Sequence, residues 1–73
     1  MEMKVGDKVI VKDNLESELI KLTFEECESK AFADRFVGTE QEVLAMWVDL
    51  ESGQTYATVD LCCEIPVQCL EVI

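Results

Sequence analysis

The sequence predicts a small, mainly β domain of about five strands, with a helix inserted between the first strand and the rest. Three observations carry this. The opening "VGDKVIVKDN" alternates Val9 and Val11 with Lys8, Ile10 and Lys12, which is strand periodicity. Two apolar, β-prone runs flank Ser52-Gly53, a hairpin signal. Between them, "TFEECESKAFADRFVG" is punctuated as a helix. At 73 residues the chain is read as one domain, 1–73.

The first strand follows a Gly6-Asp7 turn and closes at Asn14. Lys4, Lys8 and Lys12 share one parity, a short basic stripe expected to guard a sheet edge. The segment "LESELIKL" has Leu15, Leu19 and Leu22 at helical spacing but fits a packed loop equally. In the inserted helix Thr23 is the expected cap, and Glu26 three residues on closes a capping box. Early glutamates and the late Arg35 suit the helix dipole, and Gly38 is placed to end the helix in a left-handed conformation. Phe24, Cys27 and Ala31 share one face, with Phe32 and Phe36 on an adjoining stripe, so Cys27 is expected in the core.

With Ser52-Gly53 as the turn, Leu50 pairs with Thr55, Val48 with Ala57, Met46 with Val59 and Leu44 with Leu61, an apolar face on both strands. The opposite face pairs Asp49 with Tyr56, Trp47 with Thr58 and Ala45 with Asp60. If the strand runs on, Cys63 points inward with Leu61 and Cys62 points outward. Adjacent cysteines on opposite faces make a poor metal site, and the spacing Cys62-Cys63-x5-Cys69 with no histidine lacks the paired pattern of structural zinc. No C-x-x-C redox motif is present. Cys63 and Cys69 are expected as small buried hydrophobes. Pro66 stops the strand and favours a one-turn 3₁₀ bend, after which "CLEVI" makes a short final strand.

The ending "EIPVQCLEVI" resembles that of SH3-like barrels: an Ile-Pro turn, a 3₁₀ turn and a closing strand. "VGDKVIV" is similar to the first strand of many SH3-like and KOW-like domains, and "GTEQEVLAMWVDLESGQTYATVDL" resembles their middle hairpin. The whole chain resembles small, uncharacterised SH3-like proteins of bacteria and their phages. In those a helical segment occupies the first long loop and a terminal "LE" closes the chain. The resemblance implies an SH3-like small barrel with a helical insertion. It does not bring a function with it. The "ALYDY"-type aromatic cluster with which peptide-binding SH3 domains grip proline-rich ligands is missing, and the basic loops of RNA-contacting KOW-type domains are opposed by the charge.

That charge is -10, from sixteen acidic and six basic residues. All six basic residues precede Phe36, and residues 36–73 carry seven acids and no cation. Nucleic-acid binding needs Lys and Arg to displace counterions from phosphates, so neither nucleic acid nor an anionic membrane is an expected partner. The start "MEMKVGDK" lacks a signal-peptide core, and the expected compartment is the cytoplasm. There is no histidine, no nucleophile beside a base and no Gly-rich phosphate loop, so no enzyme, cofactor or metal is expected. Glu40 and Glu42 read as a solvated strand edge.

The expected function is a non-enzymatic protein-interaction module or small accessory protein. Its expected contact face carries Trp47, Tyr56, Thr58 and Asp60, with Cys62 beside them; exposed Trp and Tyr are frequent interface anchors. The competing reading of Trp47 is that a helix or another strand covers it. The alternative function is an acidic, nucleic-acid-mimicking inhibitor of a basic host protein.

Overall fold

The computed structural model describes residues 3–60 and 63–73. Among these the chain forms six strands and two α-helices. The strands make two separate three-stranded antiparallel sheets and not a closed barrel. The fold is strand-rich with helix mixed in.

β1 (Lys8–Val11) follows the expected turn. Gly6 takes φ +96, and the Lys4 N–H donates to Asp7 Oδ2 at 2.9 Å. Val9 and Val11 are buried while Lys8 is exposed. β1 is the central strand of its sheet, so Lys8 does not guard an edge. It sits opposite Glu42 on the solvent face, a cross-strand pair of opposite charge.

Both helices follow β1 directly in the chain. α1 (Leu15–Lys21) resolves the ambiguous segment as helix, with Leu15 and Leu19 buried. α2 (Glu26–Phe36) starts later than the capping box predicts. Thr23 has φ +70 and is no cap, because the end of α1 claims it: the Thr23 N–H donates to Ile20 O at 3.0 Å and the Phe24 N–H to Leu19 O at 3.1 Å. Glu25 takes the N-cap position without a side-chain bond. The buried stripe of α2 is Ser29, Ala33 and Phe36. Cys27 precedes Ser29 by two residues, about 200° away around a helix, and is exposed rather than in the core. Phe32 packs against the core as a half-buried neighbour, its ring 4.8 Å from that of Phe36. At the other end Gly38 is left-handed, φ +83, and its N–H turns away to Val11 O at 2.9 Å.

β2 (Glu40–Glu42) and β3 (Ala45–Val48) divide what reads as one run. The Val43 N–H donates to Asp7 O at 2.9 Å, but the next N–H, of Leu44, donates to Thr58 O at 2.8 Å. The chain changes sheets between these two residues, as at the corner of a two-sheet packing. Glu40 and Glu42 are exposed on an edge strand, as read.

β3 and β4 (Thr55–Val59) form the expected hairpin, two residues out of the expected register. Val48 pairs with Thr55, Trp47 with Tyr56, Met46 with Ala57 and Ala45 with Thr58. The loop holds four residues, not two: the Asp49 N–H donates to Gln54 O at 2.9 Å, and left-handed Gly53 donates to Asp49 O at 2.7 Å. Asp49 Oδ1 also accepts from the Glu51 N–H at 3.0 Å, a carboxylate turn that the Ser52-Gly53 signal hid. Side chains alternate with period two, so a slip of two residues keeps every side chain on its expected face. Burial does not follow as expected, however. Val59 and Ala57 are fully buried and Met46 packs against the core, but Leu44, Val48 and Leu50 are exposed, Leu50 to 92%. β3 is an edge strand, and the longer loop carries Leu50 beyond the core.

β4 ends at Val59 and the chain turns at Asp60, φ +49. Cys63 therefore belongs to the next strand, β5 (Cys63–Pro66), paired with Val59, and does not continue β4. It is buried, as expected, by that route. The expected Leu44–Leu61 pair and the outward Cys62 lie outside the described residues. After Pro66 come a 3₁₀ turn (Val67–Cys69) and β6 (Leu70–Val72), which pairs with β1. Cys69 is fully buried. One apolar cluster, including Val9, Leu15, Phe36, Val43, Val59 and Ile65, joins both sheets and both helices.

Candidate functional site

The two faces of the β3-β4-β5 sheet have different jobs. Residues paired across antiparallel strands share a face, so the register sets out two rows on the face away from Ala57 and Val59. One row is Trp47, Tyr56 and Pro66; the other is Ala45, Thr58 and Glu64. The slip in register is what puts Trp47 directly beside Tyr56. Their rings stack at 4.8 Å between centroids, 19° from parallel, a geometry that adds about 0.5–1.5 kcal/mol beyond area burial.

The stack divides labour between its members. Tyr56 is buried, with 7% of its surface exposed, while Trp47 keeps 40%. Trp47 is thus neither covered by a helix nor free on an open face: one side rests on Tyr56 and the other meets solvent. Burial raises the Tyr56 hydroxyl pKa above its ordinary value, with the charges of Asp49 and Glu64 adding to the effect. Both acids were outside the expected site. Asp49 keeps the parity of Trp47 along the chain, and Glu64 is paired with Thr58.

Thr58 is half-buried on the same face. Asp60 stands apart from the other three expected residues. It lies past the strand end, and its Oδ2 accepts a hydrogen bond from Arg35 Nη2 at 3.1 Å, tying the turn to the last turn of α2. Arg35 also lies over the Phe36 ring, 5.0 Å from its centroid. The ion pair is exposed, so it contributes no more than about 1 kcal/mol.

Beside Trp47 the edge of β3 is apolar: Leu44, Ala45 and Val48 are exposed and residues 43–48 carry no charge. Beneath it a groove of about 690 Å³ opens between the sheets, lined by Met3, Met46, Thr55, Val67, Leu70 and Val72 among others. At its end lies a polar lock. Gln54 and Gln68 exchange amide hydrogen bonds at 2.7 and 3.0 Å. Gln68 Nε2 also donates to Glu18 Oε1 at 3.1 Å, and the Gln68 backbone carbonyl accepts from Asn14 Nδ2 at 3.4 Å. The hydrogen bonds from Lys21 and Gln68 hold the Glu18 carboxyl below its ordinary pKa. The sequence offered no signal for this lock, because glutamines at 54 and 68 become neighbours only through the fold.

Among the described residues no group of three or more His, Cys, Asp or Glu is gathered for a metal, and no helix is long and apolar enough to cross a membrane. No protein-family model matches the chain, and no curated protein and no solved structure matches it.

Proposed function

We propose that this chain is a non-enzymatic protein-interaction module that contacts its partner through Trp47 and the apolar edge of β3. The observation that carries the reading is the Trp47–Tyr56 stack. A tryptophan at 40% exposure on a buried aromatic support is held in place before binding, so little rotamer freedom is lost on contact. The exposed apolar residues next to it would form the dry centre of an interface. Asp49 and Glu64 would sit at its rim, where negative charge selects a basic partner.

The reading includes an SH3-like ancestry for the fold. Its support is the strand order β2-β1-β6 and β3-β4-β5, the passage from one sheet to the other at residues 43–44, the helices between β1 and β2, and the 3₁₀ turn before β6. The proposed compartment is the cytoplasm, where Cys27 and Cys69 would stay reduced.

The test is capture of partners from native extract by the tagged full chain and by Trp47→Ala, each at low and high salt. A partner retained at high salt and lost with Trp47→Ala supports the reading. The second reading, an acidic mimic of nucleic acid, rests on the charge of -10 and the cation-free stretch 36–73. It requires the opposite result: capture that collapses with salt and survives Trp47→Ala.

A further inference from the structure

A second concavity lies where α1, α2 and β5 meet. Its volume is about 170 Å³, and its lining is Leu19, Phe24, Glu28, Ser29, Phe32 and Glu64. Ser29 is 1% exposed, and its Oγ has no hydrogen-bond partner among the described residues. A buried hydroxyl left without a partner is costly, and a serine on the core stripe of a helix calls for a reason. Phe24 follows the left-handed Thr23 and stays 45% exposed. Glu28 and Glu64 are exposed, and neither is in an ion pair among the described residues.

We propose that this pocket takes the side chain of an arginine presented by a basic protein partner, a proposal that rests on the interaction-module reading above. The volume is below the ~300–1,000 Å³ of small-molecule sites and suits one side chain. The walls are apolar and include two phenyl rings, against which a guanidinium stacks well because it is planar and weakly hydrated. Its five N–H donors match the two carboxylates of the lining, Glu28 and Glu64. Lysine, a compact and strongly hydrated charge, answers the carboxylates but not the rings. The position also fits. Glu64 is paired with Thr58 and acts on Tyr56, so the pocket begins where the Trp47 face ends, and one partner can span both.

The experiment is a titration of the ¹⁵N-labelled full chain with a capped Gly-Arg-Gly tripeptide at about 0.15 M salt, where distant surface charges are screened. Saturable shifts centred on the amides of Leu19, Phe24, Ser29 and Phe32 are expected, with a dissociation constant of about 1 mM. The matched citrulline and lysine tripeptides should bind about tenfold more weakly, a difference of about 1.4 kcal/mol. Glu64→Gln, an exposed change that leaves the core alone, should weaken arginine binding severalfold, and Glu28→Gln should do the same. Shifts spread over the acidic surface at large, or equal binding of citrulline or lysine, would overturn the proposal. Trp47→Ala should leave tripeptide binding intact. If Trp47-dependent capture fails while the tripeptide binds, the interaction-module reading falls and the pocket stands; the reverse result removes the pocket alone.

Discussion

Replacing Phe36 by alanine separates the two accounts of how α2 meets the core. Phe36 is among the largest fully buried side chains, at 2% exposure, and it packs against Phe32 with ring centroids 4.8 Å apart. Truncating a buried Phe costs about 3–5 kcal/mol, from lost transfer energy and the cavity left behind. Loss of the ring pair, about 0.5–1.5 kcal/mol, weights the estimate toward the upper end. A domain of this length has roughly 4–11 kcal/mol in total, at about 0.05–0.15 kcal/mol per residue. Phe36→Ala should therefore lower the melting midpoint by at least about 12 °C, at about 4–8 °C per kcal/mol, or leave the chain unfolded. Phe24→Ala is the control. Helical spacing alone puts Phe24 on the core-facing stripe, but it is 45% exposed, so its loss should cost about 1 kcal/mol or less. The assay is thermal unfolding by circular dichroism, with urea unfolding followed by Trp47 fluorescence. Equal costs at the two positions, or a larger one at Phe24, would refute the placement of α2.

Gln68→Ala should destabilise by about 1–3 kcal/mol, because Gln54 loses its reciprocal amide partner; a double-mutant cycle with Gln54→Ala in urea melts should show positive coupling. The Cys69 thiol, raised to about 11 chiefly by burial, should resist alkylation at pH 8 while exposed Cys27 reacts, as read by peptide mapping. Because the folded chain holds that proton more tightly than the unfolded one, the Cys69 contribution is complete below about pH 9. It is lost as pH rises toward 11, by about 2–3 kcal/mol at 1.36 kcal/mol per unit. Glu18 acts in the opposite sense: its carboxyl is held below the ordinary 4.5, so its contribution is present above that pH and is lost as pH falls through the lowered value. Glu18→Gln should flatten that acid limb in pH-dependent melts, and an unchanged limb would show that the lock carries no charge-assisted bond.

Local signals were enough for β1, for the existence of the hairpin and for the closing 3₁₀ turn. The alternation of Val9 and Val11, the apolar runs around Ser52-Gly53 and the single proline each act through their own backbone. Face assignment in the hairpin also survived, since a period of two is blind to a slip of two. What the sequence left open depended on distance. Leu44, Val48 and Leu50 look like core residues until β3 is known to be an edge strand, and Cys27 does until Ser29 is known to face the interior. Whether Trp47 meets Thr58 or Tyr56 was decided by a four-residue loop closed by the Asp49 carboxylate. The break between Val43 and Leu44 was invisible because two successive N–H groups find acceptors on different sheets, and those acceptors are 36 residues earlier and 14 residues later in the chain. Local propensity determines which elements can form; the competition among distant backbone partners and apolar surfaces for one small core decides which residues face it.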